Sequence, residues 1–146
     1  MVSVNSEFTI AVHSLVLLAY RPDRMATSEM IAANVCTHPA RVRKVLSCLK
    51  KTGYVATREG SGGGYTLACE PGEVTLAEIY RVTSIGSIKP SWCSGDVEED
   101  CLVACNMADV MDGIFSEAES RMLTFLEQMK ITDVLERLRA AHAAKP

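Results

Sequence analysis

Apolar residues recur along the chain at the three- and four-residue spacing of helices, and one central region departs from that spacing. An almost wholly apolar stretch at 8–20 predicts a buried helix, which the polar residues 21–23 end. A second helix is expected from the capping residues 27–29 to about Val35. A third helix, 39–52, begins with a proline and carries one apolar stripe, formed by Val42, Val45, Leu46 and Leu49.

A β-hairpin is predicted where the helical spacing stops, with strands at 54–58 and 65–68. The segment 59–64 between them is rich in glycine, so its backbone can adopt the positive φ angles of a tight turn. Thr75 and Glu78 then have the spacing of a capping box, which predicts the start of a fourth helix.

The C-terminal part predicts a loop followed by a long helix. Residues 85–100 show no periodicity, and we expect them to form the loop. The long helix is expected from Cys101 or Asn106 to Met129, and a short helix follows at 132–143. One apolar stripe on the long helix has ten members: Met107, Val110, Met111, Ile114, Phe115, Ala118, Met122, Phe125, Leu126 and Met129.

The net charge of −3 hides an asymmetry between two parts of the chain. Residues 38–58 contain six basic side chains and no acid, whereas residues 70–120 contain eleven acids against Arg81 and Lys89. A basic region on an acidic protein can bind a polyanion locally while the rest of the surface repels it. The pattern therefore favours nucleic acid as the partner.

A helix, a three-residue break at 36–38, a basic helix and a glycine-rich hairpin follow one another in the order of a winged helix-turn-helix. We expect Arg43 to bind guanine in the major groove, and Arg58 of the wing to bind phosphate or enter the minor groove. The alternative is an ordinary solvated amphipathic helix followed by a hairpin. The candidate DNA contacts are Ser28, Thr37, His38, Ala40, Arg41, Arg43, Lys44, Lys50, Lys51, Arg58, Gly62 and Gly63.

Several stretches of the chain resemble the Rrf2 family of winged helix-turn-helix regulators. They are SEMIA at 28–32, VRKVL at 42–46, LKKTGYV at 49–55, GGGYTLA at 62–68, TLAEIY at 75–80 and ITDVL at 131–135. The resemblance implies a DNA-binding repressor that forms a homodimer, in which the long helix crosses its twin over a near-palindromic operator in double-stranded DNA. An unpaired apolar stripe also favours a symmetric partner, although the helix could instead fold back on its own domain.

These elements predict one mainly α-helical fold with a small β-hairpin wing, of the α+β type. We expect a winged helix-turn-helix DNA-binding domain at 1–84, a cysteine-bearing sensor loop at 85–105, and a dimerisation helix with a C-terminal helix at 106–146. A chain of 146 residues suits one modest core.

Cys93, Cys101 and Cys105 lie within thirteen residues, where the loop meets the long helix. The resemblance implies that thiolates in this region hold an iron–sulfur cluster, because members that sense iron–sulfur status or nitric oxide carry three cysteines here. Some of these members add a ligand from the first helix, where Glu7 and His13 lie. The spacing C-x7-C-x3-C departs from their more even gaps, and nearby acids oppose an anionic cluster.

Three interpretations of these cysteines therefore stay open: a cluster or metal site, a thiol–disulfide switch and no sensing role. Cys101 and Cys105 are the pair expected for a disulfide, although the helix between them would have to distort. Cys48 lies among core positions and is expected to be inert packing. Cys36 lies just before the basic helix, so its oxidation would disturb DNA binding.

The sequence contains little that would indicate another class of function. There is no Cys-x-x-Cys pair, the histidines are scattered, and the glycine run belongs to a hairpin instead of a phosphate loop, so no enzyme is predicted. No apolar run reaches the length of a membrane span, and residues 1–10 lack the basic start of a secretion signal, so we expect a cytoplasmic protein that does not bind membranes. The alternative regulator has the same fold, binds no cofactor and responds to a partner protein or metabolite.

Overall fold

The computed structural model describes residues 6–146, and the first five residues of the predicted DNA-binding domain lie outside this range. Six helices and three short strands occur in the described part, which confirms the mainly α-helical prediction with a small sheet. Their bounds are α1 Ser6–Tyr20, β1 Met25–Ala26, α2 Ser28–Val35, α3 Pro39–Lys51, β2 Val55–Arg58, β3 Gly64–Leu67, α4 Leu76–Thr83, α5 Leu102–Leu126 and α6 Ile131–Ala143.

The sheet contains one strand more than the sequence predicted. Its order is β1-β3-β2 and both pairs are antiparallel. β1 pairs with β3 through two residues only, Met25 with Thr66 and Ala26 with Tyr65. A strand of two residues is too short to show alternation in the sequence, and it forms because the hairpin offers a free edge beside the chain that leaves α1.

The core gathers around α1, whose Leu15 and Leu18 are fully buried. The predicted stripe of α3 is buried against it, which confirms the 3.6-residue spacing as the signal of the inward face. The ring of Phe8 meets Tyr80 of α4 edge-on with centroids 5.5 Å apart. Helices α1, α3 and α4 therefore form one packed unit that holds the helix-turn-helix in place.

The long helix is shorter at its C-terminal end than the sequence suggested. α5 ends at Leu126 because Met129 has left the helix and its carbonyl accepts the N–H of Leu76 at 2.8 Å. Lys130 then forms a β-bridge with Thr75, and α6 begins at Ile131. The predicted apolar stripe is divided between two environments. Met122, Leu126 and Met129 pack in or against the core of the same chain, whereas Val110, Ile114 and Phe125 are exposed.

The segment after α4 returns along α5 and is fastened to it at three places. The backbone N–H of Gly86 donates to Glu119 Oε2 at 2.6 Å, and Lys89 Nζ donates to Asp112 Oδ1 at 2.9 Å. Further along, the N–H of Asp96 donates to the carbonyl of Ala104 at 2.9 Å. The predicted loop is therefore an ordered segment that is hydrogen-bonded along one face of α5. Within residues 6–146, no helix is both long enough and apolar enough to span a membrane.

Candidate nucleic-acid interface

The turn between α2 and α3 is set by side chains and by one unusual backbone conformation. Thr27 caps α2 by accepting the N–H of Met30 at 3.1 Å. Cys36 ends α2 in the left-handed region, with φ 67° and ψ 51°, which a non-glycine residue rarely adopts. His38 then caps α3, because its Nδ1 accepts the N–H of Ala40 at 3.3 Å. Three residues thus redirect the chain between the two helices, as the sequence predicted.

α3 presents a basic face to solvent opposite its buried stripe. The side chains of the predicted base-reading residues on this helix are exposed. The residues concerned are Ala40, Arg41, Arg43 and Lys44, and Lys50 and Lys51 are exposed at the other end of the helix. Thr37 is half-buried and His38 is exposed, whereas Ser28 is buried and donates its hydroxyl to Glu29 Oε2 at 3.2 Å. Burial leaves Ser28 the least accessible of the predicted contacts.

Acidic neighbours hold the basic side chains at the start of α3. Arg43 Nη1 lies 3.9 Å from Glu29 Oε1, and Lys44 Nζ lies 3.3 Å from Glu7 Oε1. The Glu29 backbone N–H, then the Ser28 hydroxyl and Arg43, lower the pKa of Glu29, so this carboxylate stays charged. Exposed pairs of this kind contribute little to stability, so phosphate groups can replace the carboxylates without a large penalty.

The wing lies beside α3 and ends in a glycine turn. β2 pairs with β3 from Val55 opposite Leu67 to Arg58 opposite Gly64, which places Arg58 at the tip of the hairpin. Gly62 has φ 76°, and the N–H of Gly63 donates to the carbonyl of Gly60 at 3.0 Å. The turn is closed by a backbone hydrogen bond, and Ser61 is the one residue between Gly60 and Gly63 that carries a side chain, so the backbone of the glycines can come close to a phosphate group.

Cys101 and Cys105 lie at the N-terminal end of α5, and Cys93 lies in the segment before this helix. Cys93 and Cys101 are exposed, and half-buried Cys105 donates its Sγ–H to the carbonyl of Val97 at 3.4 Å. Cys101 occupies the N-cap position of α5 without a capping hydrogen bond from its side chain, and the nearby backbone N–H groups of Ala104 and Val103 lower the pKa of its thiol. Elsewhere, Cys48 donates to the carbonyl of Val82 at 3.1 Å, in keeping with a packing role.

A family model described as "Rrf2: Iron-dependent Transcriptional regulator" matches residues 4–137 of this chain. The chain belongs to the Rrf2 family. It is 29% identical over 139 residues to a Bacillus subtilis protein named as an HTH-type transcriptional regulator, YwnA, covering 92% of this chain and 98% of that one. This Rrf2 protein is thus a transcriptional regulator of the DNA-binding, winged-helix type and not an enzyme.

Solved structures carry the same fold. A transcriptional regulator from Lactobacillus plantarum superposes on this Rrf2 regulator with a TM-score of 0.76 and 26% identity, covering 91% of this chain and 89% of that one. The T. potens protein IscR superposes with a TM-score of 0.71 and 20% identity over 99% of this chain and 94% of its own. The likeness confirms the predicted fold class.

An iron–sulfur cluster fits the donor types of this Rrf2 regulator but not their placement. Thiolates are the usual cluster ligands. Yet between residues 6 and 146 no three side chains of the types His, Cys, Asp and Glu stand together so that they could hold a metal ion. The candidate ligands on α1 have other partners, since Glu7 pairs with Lys44 and His13 Nε2 lies 2.7 Å from Asn34 Oδ1.

The sequence did not predict that carboxylates lie beside the candidate DNA-contact side chains of this Rrf2 regulator. From the sequence, Glu29 is only one of the capping residues of α2, and Glu7 is only a possible cluster ligand. The spacing gives no signal of this pairing, because Glu29 lies at the start of α2, ten residues before the first residue of α3. The pairing itself depends on how α1 and α2 cross α3.

Proposed function

We propose that this Rrf2 regulator is a cytoplasmic, homodimeric repressor that reads a near-palindromic operator in double-stranded DNA. The observation that supports it best is the exposed basic face of α3 on a protein whose net charge is −3. A compact dimer that occupies promoter DNA represses by excluding the polymerase. Six free thiols suit a reducing compartment.

The basic side chains divide into two groups by their position on the helix. Arg41, Arg43 and Lys44 lie in the first turns of α3, whose N-terminal end enters the major groove in proteins of this type, so they reach base edges. Lys50 and Lys51 lie in its last turn and bind phosphates, together with Arg58 of the wing. The remaining candidates are smaller and let the backbone approach the duplex: Thr37, His38, Ala40, Gly62 and Gly63.

Homodimer formation is supported by the exposed part of α5. Val103, Val110 and Ile114 follow one another at seven and four residues, and 55%, 54% and 52% of their surfaces are exposed. This is the spacing of a helix seam. A second copy offers the same seam, and a twofold pair buries both.

The DNA-binding part of the proposal can be tested on an operator selected from a random pool. We expect the Lys50→Ala/Lys51→Ala variant to bind this operator at least tenfold more weakly in fluorescence anisotropy, because it loses two phosphate contacts. Arg137→Ala is the matched control, since Arg137 is exposed on α6, away from α3. Equal affinity of both variants would remove α3 from the interface.

A second candidate is a regulator of the same kind that binds no cluster and answers to a partner or metabolite. The separation of the three sensor thiols favours it, since cluster ligands have to converge. We expect protein purified without oxygen to contain less iron and sulfide than one cluster for every ten chains. Near-stoichiometric iron and sulfide, lost in Cys101→Ser, would contradict this candidate and support the cluster.

A further inference from the structure

The carboxylate of Glu29 is held at the start of α2 by one of its two oxygens. Its Oε2 accepts the hydroxyl of Ser28 at 3.2 Å. Because Ser28 is buried, its hydroxyl has little room to turn toward solvent. The hydrogen bond therefore fixes one oxygen of the carboxylate and leaves Oε1 available to a side chain of α3.

The side chain that Oε1 of Glu29 faces is Arg43. Its Nη1 lies 3.9 Å from that oxygen, and half of the arginine side chain remains exposed. Within the described residues 6–146, Arg43 has no second ion pair. A guanidinium carries five N–H donors in one plane. An ion pair at Nη1 thus leaves the opposite edge, formed by Nε and Nη2, free for another acceptor.

The free edge of Arg43 matches the groove side of guanine. Two parallel N–H groups of an arginine can donate to O6 and N7 of this base. Arg43 can therefore bind guanine through Nε and Nη2 while Nη1 stays beside Glu29. In such a complex the carboxylate keeps its cation. A lysine ammonium is a flexible point charge and has no fixed plane with which to divide its donors in this way.

DNA that lacks the guanine places Glu29 in a different situation. Non-specific binding depends on contacts to phosphates. When Arg43 turns to a phosphate, Oε1 of Glu29 loses its cation and lies close to the polyanion, where like charges repel. Specificity is a difference between two affinities, and a group that opposes only the wrong complex increases it.

Glu59 is a second acid near the proposed interface, and it has no such partner. It follows Arg58, the last residue of β2 at the tip of the wing, and it is exposed. Within the part of the chain that the structure describes, Glu59 forms no ion pair. Its charge therefore opposes phosphates on every DNA sequence to the same extent.

We propose that Glu29 is a specificity-determining residue of the DNA interface, which orients Arg43 toward guanine and penalises binding to DNA that lacks this base. Ser28 is a positioning residue that acts through Glu29. The inference rests on the proposed function, because it requires Arg43 in the major groove. It adds that an acid beside the basic face selects the operator without contacting it.

The ratio of two affinities tests this role. Binding is measured by fluorescence anisotropy on the selected operator and on a random-sequence duplex of equal length, at one salt concentration. We expect Glu29→Gln to bind the random duplex about fivefold more tightly and to change operator affinity by less than about twofold. A gain of affinity for random DNA cannot come from partial unfolding, so it separates this role from a merely structural one.

Glu59→Gln is the matched control, because it removes the same charge from a neighbouring part of the same surface. It should tighten binding to both duplexes by a similar factor and leave their ratio unchanged. Ser28→Ala should lower the ratio in the same direction as Glu29→Gln but by a smaller factor, because the carboxylate stays and only its anchor is lost. A Ser28→Ala variant with the wild-type ratio would contradict the role of Ser28.

A double-mutant cycle shows whether Glu29 acts through Arg43. In an Arg43→Lys background, the added Glu29→Gln change should leave the ratio unaltered, because the lysine cannot hold both groups. Equal ratios for Glu29→Gln and Glu59→Gln, or an undiminished effect in the Arg43→Lys background, would overturn the inference. The proposed function would then stand as long as Arg43→Ala loses its guanine preference. If Arg43→Ala retains both affinity and preference, both proposals are wrong.

Discussion

In the proposed complex with DNA, Arg43 is the residue on which base recognition depends most directly. Its guanidinium is exposed and lies 3.9 Å from Glu29. A planar guanidinium can bind both acceptors of guanine, so Arg43→Ala should cost about 1–3 kcal/mol of operator binding and relax the preference at one base pair. The measurement is anisotropy on an operator and its single-base variants.

The control for Arg43→Ala is Glu29→Gln, which removes the neighbouring charge and keeps the arginine. We expect this change to shift affinity by less than about 1 kcal/mol, because exposed ion pairs are weak. If Arg43→Ala binds all the operator variants as the wild type does, α3 is docked in a different orientation from the one proposed.

A variant of Lys51 tests the proposed contacts to DNA phosphates, which do not depend on the base sequence. Lys51 lies in the last turn of α3 and is exposed. Lys51→Ala should weaken binding to specific and random DNA by a similar factor, and the slope of log K against log salt should fall by about 1. Titrations at several salt concentrations measure this slope. A loss confined to the specific operator would mean that Lys51 reads a base.

At the residue scale, the sequence predicted which side of a helix is buried better than it predicted which side chains contact one another. The 3.6-residue spacing of Val42, Val45 and Leu49 was enough to identify the buried side of α3 and hence its exposed basic side. The same spacing says nothing about Glu29 or about the burial of Ser28, because both depend on how α2 lies against α3. Helix crossings are set by the whole core, so such contacts emerge only in three dimensions.

At the element scale, Gly62 and Gly63 contribute to the turn of the wing for different structural reasons. A Cβ at Gly63 would overlap the carbonyl oxygen of Arg58, which is backbone and cannot move cheaply. A Cβ at Gly62 would meet nothing within 4 Å, and the only strain there is its φ of 76°. We therefore expect Gly63→Ala to destabilise the wing by on the order of 1–3 kcal/mol, and Gly62→Asn to be tolerated.

Amide hydrogen exchange of β2 and β3 measures this difference, with thermal unfolding as a check of the whole fold. Gly63→Ala should exchange faster in both strands and bind DNA more weakly, whereas Gly62→Asn should resemble the wild type. Equal protection in the two variants would show that the turn at Gly60–Gly63 adjusts, and that its backbone conformation is not what the wing requires.

The elements also show what a one-dimensional pattern leaves out. The sequence predicted all six helices within a few residues, since each has a cap, a break or a continuous stripe. It missed β1, which has two residues and exists only because β3 lies beside it. For α5 the sequence predicted one continuous apolar stripe. In the structure Leu126 at the end of the helix is buried, whereas Ile114 at its centre is exposed. The spacing of apolar residues does not reveal which neighbour covers them.

At the scale of the whole molecule, the position of each recognition helix follows from how two copies are held. In the proposed homodimer, α5 crosses its twin along the exposed seam of Val103, Val110 and Ile114, and this crossing sets the distance and angle between the two α3 helices. The dimer should then accept one operator spacing and reject others.

Insertions at the centre of the operator test this rigidity. About five added base pairs turn one half-site to the opposite face of the duplex, and about ten restore the face but move it about 34 Å away. Because the α5 seam of the proposed homodimer holds the two halves at one distance and angle, both insertions should lower affinity toward that of a single half-site, on the order of a hundredfold. Ile114→Asp, which places a charge in the seam of α5, should bind all three spacings equally weakly. Recovery of tight binding with the ten-base-pair insertion would mean that the two DNA-binding halves move independently, which would contradict a dimer held at one geometry by the α5 seam.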